Sequence, residues 1–164
     1  MLVRYDALRR IGGVASIRGE LIDDCALASR IKHSGGSIRL NISRRIRSLR
    51  PYATAGEVWS MIKRTAFTQL RHSTLLLMGT VLAMIVTYIA PVVLALSGHA
   101  LAIGACALML LAYLPVARWY GLPAFWVLTL PFAAVFYLGA TVASALDYWQ
   151  GRGGVWKGRV QDAR

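Results

Sequence analysis

The second half of this chain has almost no charge. Between residues 73 and 146 the only formally charged side chain is Arg118, whereas residues 1–72 hold 14 of the 19 Lys and Arg residues. Helices of a soluble bundle would show charged positions every three or four residues along their outer faces. Because no such positions recur here, the pattern argues against a soluble helix bundle and favours membrane-spanning helices.

Cysteines and acidic residues are also few. Cys25 and Cys106 lack the spacing of a metal site and are too few for a disulfide framework, so each is expected to be a free, buried thiol. Only seven Asp and Glu residues oppose 19 basic ones, and the formal net charge is +12. No recognised nucleic-acid-binding motif accompanies this charge, so nucleic acid is not an expected partner. The N-terminus has no apolar central run and therefore no visible signal peptide.

Three apolar segments fill the charge-poor half. They cover about residues 73–98, 100–117 and 122–146, and the first has 26 residues without a charge. As a helix it would extend ~39 Å, enough to cross a hydrocarbon core of roughly 30 Å with tilt. The segments therefore predict three transmembrane helices over 73–146. The alternative is that 100–146 forms a bent hairpin that does not cross cleanly.

The distribution of basic residues predicts the orientation. The excess of Lys and Arg before the first span places the N-terminal region in the cytoplasm under the positive-inside rule. Three crossings would leave the basic tail over residues 147–164 outside, in conflict with that rule. The tail's basic residues are Arg152, Lys157, Arg159 and Arg164. Because the N-terminal excess is larger, the N-terminal region is assigned to the inside and the side of the tail stays open.

The first 50 residues show soluble-domain patterns. A short helix is expected to end at Gly12-Gly13 in the manner of a glycine cap. A second helix is expected to start with Asp23 as its N-cap and Asp24 in its first turn, and to stop at Gly35. Residues 36–43 are predicted to form a β-strand, because apolar residues alternate with polar ones there. The apolar residues are Ile38, Leu40 and Ile42.

A basic segment leads from this region to the membrane. Its arginines are Arg44, Arg45, Arg47 and Arg50. They are expected to attract anionic lipid at roughly 1 kcal/mol per basic residue, and the alternative is contact with a phosphorylated substrate, which arginine forks suit. Residues 51–72 then predict an interfacial amphipathic helix with an apolar face of Val58, Ile62, Ala66 and Leu70. A plain cytoplasmic packing helix is the alternative for this segment.

An ordered set of motifs resembles a known family. The stretch "ALRRIGGVASIRGELIDDCALASRIKHSGGSIRL" looks like the acceptor-side segment of family 2 glycosyltransferases, with Gly12-Gly13 after a short helix and Asp23-Asp24 at an acidic pair. "IRGELIDDCALA", "SLRPY", "RTAFTQLR" and "YWQGRGGVWKGR" are similar to the hopene-associated membrane glycosyltransferases of bacterial hopanoid gene clusters. The resemblance implies a mostly α membrane protein. In it, the C-terminal remnant of a GT-A-type α/β glycosyltransferase domain (residues 1–50) precedes the three transmembrane helices.

The resemblance also implies roles for the acidic pair. In the family the second acid is taken as the catalytic base, so Asp24 would accept the proton of the acceptor hydroxyl as it attacks the anomeric carbon of the sugar. Asp23 would hold the acceptor or raise the proton affinity of the base by like-charge repulsion. Gly12 and Gly13 would support the acceptor side. From the residues alone, a helix start remains the alternative explanation of the two aspartates.

Two further expectations follow from the family. Gln69 and Arg71 resemble a Gln-x-x-Arg-Trp motif that contacts substrate or diphosphate, with one residue fewer between them and no Trp. Family members bind nucleotide-sugar through an N-terminal half whose Asp-x-Asp holds a divalent metal, Mg or Mn. Only 22 residues precede Asp23, so this chain is expected to be the C-terminal part of such an enzyme. It would have no metal or cofactor of its own and would be inactive alone.

The expected function is therefore transfer of a sugar from a nucleotide-sugar to a lipid-type acceptor at the bacterial inner membrane, in hopanoid biosynthesis. The alternative is a non-catalytic, three-span protein whose basic cytoplasmic arm binds anionic lipid or a partner. The sugar donor and the acceptor are not determined by the sequence.

Overall fold

The computed structural model describes residues 1–45 and 52–153, together with the backbone of 155–156 and 159–160. These residues form seven α-helices, short 3-10 and π segments, and one small hairpin. The chain divides into two compact units. One consists of Met1–Arg50 with Asp147–Arg164, and the other is Pro51–Leu146.

The first unit begins with helix α1 (Tyr5–Arg10). The amides of Gly12 and Gly13 donate to carbonyls three and five residues back, at 3.1 and 2.9 Å. This is a Schellman turn, and it requires a left-handed residue, which Gly12 supplies with a φ of +84°. The predicted glycine cap is therefore confirmed.

Helix α2 (Asp23–His33) carries the acidic pair. Ile22 is its N-cap residue, so the prediction of Asp23 as N-cap is wrong by one residue, and both aspartates lie in the first turn. The aspartate side chains bond to amides inside the helix instead of capping it from outside. The helix stops at a second Schellman turn, in which Gly35 has a φ of +80° and the amide of Gly36 donates to the carbonyl of Ile31 at 3.0 Å. The predicted stop is confirmed.

The predicted strand is not formed by the described residues. Residues 36–43 have irregular backbone, and Leu40 is 98% exposed. A strand needs a neighbouring strand to pair its N–H and C=O groups, and no described segment pairs with this one. The pairing that the described residues do show is antiparallel, between β1 (Val155–Trp156) and β2 (Arg159–Val160).

The basic segment is described in part. Arg44 and Arg45 are exposed, as a role in attracting anionic lipid or phosphate would need. Arg47 and Arg50 lie outside the described residues, as do Lys157 and Arg164 of the tail.

The second unit begins with helix α3 (Ala55–Gln69), which has a reciprocal N-terminal cap. The Thr54 hydroxyl accepts a hydrogen bond from the Glu57 amide at 3.3 Å, and the Glu57 carboxylate accepts one from the Ala53 amide at 2.8 Å. This arrangement is close to a capping box and fixes the start of the helix.

Within the described residues, three helices are long and apolar enough to cross a membrane. They have mean hydropathy values of 2.2, 2.2 and 1.8 and cover Thr74–Leu96, Ala100–Trp119 and Ala124–Trp149. The first consists of α4 (Thr74–Met84), a π segment (Ile85–Ile89) and α5 (Ala90–Leu96); the second is α6 (Ala100–Trp119); the third is a 3-10 segment (Ala124–Thr129) followed by α7 (Leu130–Trp149). The three predicted apolar helices are thereby confirmed.

The π segment lies directly before Pro91. Proline has no amide hydrogen and its ring crowds the preceding turn, so regular α-helical hydrogen bonding cannot pass through it unchanged. The wider π turn accommodates the missing backbone hydrogen bond, and helices within membranes tolerate such a turn. Large apolar side chains cover the outer faces of these helices: Leu75, Leu101 and Phe132 are 79%, 92% and 78% exposed. Lipid is the solvent that suits such faces.

Helix α3 packs on α7. The Trp59 ring meets the Phe136 ring edge-to-face, with centroids 5.1 Å apart, and it lies so close to Gly139 that a Cβ there would be 2.9 Å from the Trp59 Cη2 atom. Ala140 is fully buried and Phe67 is 1% exposed. The helix predicted within residues 51–72 is therefore present as α3. Its interfacial location and the alternative, a plain cytoplasmic packing helix, both stay predictions.

An apolar cavity of about 380 Å³ lies among the three membrane-length helices, Thr74–Leu96, Ala100–Trp119 and Ala124–Trp149. Each helix contributes to its wall, and the lining includes Tyr88, Val92, Met109, Leu110, Pro131 and Phe132. The start of α7 therefore lies near the late part of the first membrane helix.

Candidate functional site

The acidic pair lies at the exposed start of α2. The Asp23 Oδ1 atom accepts a hydrogen bond from the Asp24 amide at 2.9 Å, and the Asp24 Oδ1 atom accepts one from the Cys25 amide at 2.8 Å. Both side chains are exposed. First-turn amides and the positive end of the helix dipole favour carboxylates here, so the pair also stabilises the helix. The bond through Oδ1 orients the Asp24 carboxylate.

Cys25 adjoins this carboxylate. Partial desolvation raises the pKa of the Cys25 thiol, and the negative charge of Asp24 and a hydrogen bond with it raise the pKa further. At neutral pH the group is therefore a neutral thiol, which is a weak nucleophile. Both cysteines are free, as expected, but the expectation that both are buried is wrong, because Cys25 is exposed and Cys106 is half-buried.

The glycine pair forms the turn that ends α1 and leads into a short 3-10 segment, Val14–Ile17. The Ser16 hydroxyl donates to the Gly13 carbonyl at 2.8 Å, and the Arg10 guanidinium donates to the Ser34 carbonyl at 3.4 Å. Arg10 therefore ties the end of α1 to the far end of α2, while the acidic pair lies at the start of that 11-residue helix, about 15 Å away. Gly12 and Gly13 shape the turn, and no contact joins them to the acids among the described residues.

Gln69 and Arg71 lie where α3 ends, in the second unit. Both are exposed. The Arg71 and His72 amides donate to the carbonyls of Thr68 and Phe67 at 2.9 and 3.1 Å, which again makes a Schellman turn. Here, however, the left-handed positions are not glycines: Arg71 and His72 have φ values of +53° and +54°.

Left-handed backbone costs about 1–2 kcal/mol at a residue with a Cβ. The His72 ring packs edge-to-face on the Phe67 ring, with centroids 5.5 Å apart, and this contact stabilises the strained turn. Sequence reasoning missed this feature because no glycine marks the turn. The turn fixes the direction in which the backbone leaves α3 just before α4 begins.

The described residues do not fit a divalent-metal site. Among them, no group of three His, Cys, Asp or Glu side chains is close enough to hold an ion. Mg²⁺ requires near-octahedral oxygen coordination, and the two carboxylates of α2 each direct an oxygen to a neighbouring amide.

The fold and the site together define a helical protein with three helices able to cross a membrane and an exposed, oriented carboxylate pair suited to proton transfer. Residues 1–161 match the model of Glycosyl transferase family 21. The chain belongs to that family. The glycosyltransferase class that the motifs implied is confirmed, whereas family 2 and the hopene-associated group remain predictions. No curated protein and no solved structure matches the chain.

Proposed function

We propose that this chain provides the acceptor side and the membrane part of a membrane-bound glycosyltransferase. The enzyme transfers a sugar from a nucleotide-sugar to a lipid-type acceptor at the bacterial inner membrane, with residues 1–50 in the cytoplasm. The family match over residues 1–161, the three membrane-length helices and the basic excess before them support this proposal. The similarity of the quoted motifs to hopene-associated enzymes favours a role in hopanoid biosynthesis.

The orientation of Asp24 carries the catalytic proposal. With its Oδ1 atom bonded to the Cys25 amide at 2.8 Å, the carboxylate presents Oδ2 to the hydroxyl of the acceptor. The hydroxyl oxygen forms the new bond to the anomeric carbon, the bond from that carbon to the nucleotide diphosphate breaks, and the hydroxyl proton moves to Asp24. Asp23 holds the acceptor beside the base, and Gly12 and Gly13 support the turn that precedes α2.

Gln69 and Arg71 are proposed to contact the substrate or its diphosphate. The guanidinium group suits phosphate oxygens because it offers paired donors and a permanent charge. Support comes from the exposure of both residues and from the left-handed backbone of Arg71, since such strain is concentrated at functional sites. The divalent metal expected of the complete enzyme does not fit the described residues, so no step assigned to them involves it.

Asp24→Asn tests the base. Sugar transfer is measured in membranes that contain the chain together with a nucleotide-sugar-binding glycosyltransferase domain, using labelled nucleotide-sugar and extraction of the labelled lipid. We expect transfer to fall at least about 10²-fold, the lower range for a lost general base, with unchanged membrane insertion. Glu20→Gln is the matched control, because Glu20 is an exposed acid outside the pair, and it should retain transfer.

Unchanged transfer by Asp24→Asn would exclude Asp24 as the base. The exposure of Arg44 and Arg45 supports the second candidate, a non-catalytic protein whose basic arm binds anionic lipid. In that case charge reversal at these two arginines should release residues 1–50 from anionic vesicles, while Asp24→Asn should leave this binding unchanged.

A further inference from the structure

The two ends of the hydrophobic region meet in the structure. The Phe67 amide, seven residues before α4 begins, donates to the hydroxyl of Ser144 at 3.1 Å. Ser144 lies in the last turns of α7, five residues before that helix ends. Both residues are buried, at 1% and 5% exposure. The entrance to the first membrane helix and the exit from the third are therefore neighbours.

The residue ranges that make up the first unit agree with this proximity. Residues on both sides of the hydrophobic region, Met1–Arg50 and Asp147–Arg164, form one compact unit. A compact unit cannot be divided by a hydrocarbon core of roughly 30 Å. Both flanks of the region must therefore lie on one side of the membrane.

This requires an even number of complete crossings. Three complete crossings would bring the chain out on the side opposite to its entry, roughly 30 Å from Phe67, whereas a hydrogen bond joins Phe67 and Ser144 at 3.1 Å. We infer that only two of the three membrane-length helices cross completely and that the tail after Trp149 lies on the same side as residues 1–72.

The distribution of charge supports the inference independently. With three crossings, Arg152, Lys157, Arg159 and Arg164 would lie opposite the 14 basic residues of the N-terminal part, against the positive-inside rule. With two crossings, the four tail residues join those 14 on one side. The conflict found in the sequence then disappears.

The inference changes which residues share an aqueous compartment. Asp24 and the tail are in the same compartment, so a phosphorylated substrate that reaches the acidic pair also meets the positive field of Arg152 and its basic neighbours. This consequence rests on the proposed function, whereas the sidedness itself does not.

Labelling of single cysteines tests the sidedness. Native Cys25 is exposed and reports on the N-terminal flank after Cys106→Ala removes the other thiol. Gln150→Cys reports on the tail and His99→Cys on the loop after the first membrane helix, each with Cys25→Ser and Cys106→Ala. Intact spheroplasts and inverted membrane vesicles of an expressing bacterium are treated with a membrane-impermeant maleimide, and a detergent-opened sample gives the total accessible thiol.

We expect Cys25 and Gln150→Cys to be labelled in the same preparation and His99→Cys in the other. Labelling of Gln150→Cys together with His99→Cys, in the preparation that leaves Cys25 unlabelled, would overturn the inference. Labelling of all three in one preparation would also contradict it, because the first membrane helix would then not cross. The result does not depend on sugar transfer, so failure of the proposed enzymatic function would leave it intact.

Discussion

Phe67 and Ser144 are joined by a buried hydrogen bond of 3.1 Å although 77 positions separate them in the chain. The bond fixes α3 against α7 at one point, and the edge-to-face contact between Trp59 and Phe136 fixes it at another. These contact points lie eight residues apart on both helices. The two helices therefore lie side by side and run in the same direction over about 12 Å.

Ser144→Ala should loosen this contact. Removal of the hydroxyl takes away a bond worth about 0.5–1.5 kcal/mol, which corresponds to a fall in Tm of roughly 1–6 °C for a chain of this size. Tryptophan fluorescence of the detergent-solubilised chain on heating measures the change. Ser60→Ala is the control, since the exposed Ser60 hydroxyl bonds only to the Gly56 carbonyl of its own helix, at 2.9 Å. Equal Tm values for the two variants would contradict a stabilising role of the Ser144 bond.

The features that the sequence predicted correctly are local. Hydropathy marks the three membrane-length helices because every residue of a span meets the same apolar solvent. Gly12 and Gly35 mark helix ends because a left-handed turn selects glycine. The strand expected at residues 36–43 failed because pairing depends on a second segment, which side-chain alternation cannot supply.

Other features could not be found from local pattern. The packing of Trp59 on Gly139 joins positions 80 apart in the chain, and nothing near either residue indicates the other. The left-handed turn at Arg71 and His72 lacks the glycine that normally marks one. At the site, the position of Asp24 in the first turn of α2 was predicted, whereas Asp23 was expected one position earlier, at the N-cap. The bonds of the two aspartates to the Asp24 and Cys25 amides were not predicted.

Gly139→Ala should separate α3 from α7. The new methyl group would lie 2.9 Å from the Trp59 Cη2 atom and 3.3 Å from Cζ3, so the indole ring must move and its contact with Phe136 weakens. Overpacking of this kind costs about 1–3 kcal/mol. Gly104→Ala is the matched control, because it is also a glycine within a membrane-length helix but has open space at its Cβ position.

A combined variant makes the test of Gly139 specific. Trp59→Leu removes the ring that the methyl group strikes, so Gly139→Ala should have a smaller effect on Tm in that background than in the native chain. Additive effects on Tm would show that the two residues do not interact and would exclude the contact as the cause.

Gly36→Ala should weaken the end of α2. A Cβ at this position would lie 2.8 Å from the Ile31 Cγ2 atom and 2.9 Å from the Ile31 carbonyl oxygen, and the latter is backbone that cannot turn aside. Limited trypsin digestion measures the effect, because Arg30 and Lys32 lie in the last turn, and cleavage there should become faster. Gly56→Ala, whose nearest contact would be 3.8 Å, should leave the rate unchanged; equal rates in both variants would contradict the steric argument.

The alkylation of Cys25 should report the charge of Asp24. A raised pKa means that the thiolate, which is the reactive form, becomes abundant only at higher pH, so the midpoint of the rate against pH lies above that of an unperturbed cysteine. Partial desolvation is the largest cause and the charge of Asp24 the next. Asp24→Asn removes the charge but not the partial desolvation, so the midpoint should move down without reaching the unperturbed value.

Iodoacetamide rates between about pH 7 and 10 in a Cys106→Ala background measure this midpoint, a range that brackets the ordinary thiol pKa. Asp23→Asn is the matched control. Asp23 bonds to the Asp24 amide and is not among the causes of the Cys25 shift, so its removal should leave the midpoint in place. An unchanged midpoint in Asp24→Asn, or an equal downward shift in Asp23→Asn, would show that Asp24 does not face the thiol as the structure describes. Because the same carboxylate is the proposed base, this measurement tests its orientation without any sugar donor or acceptor.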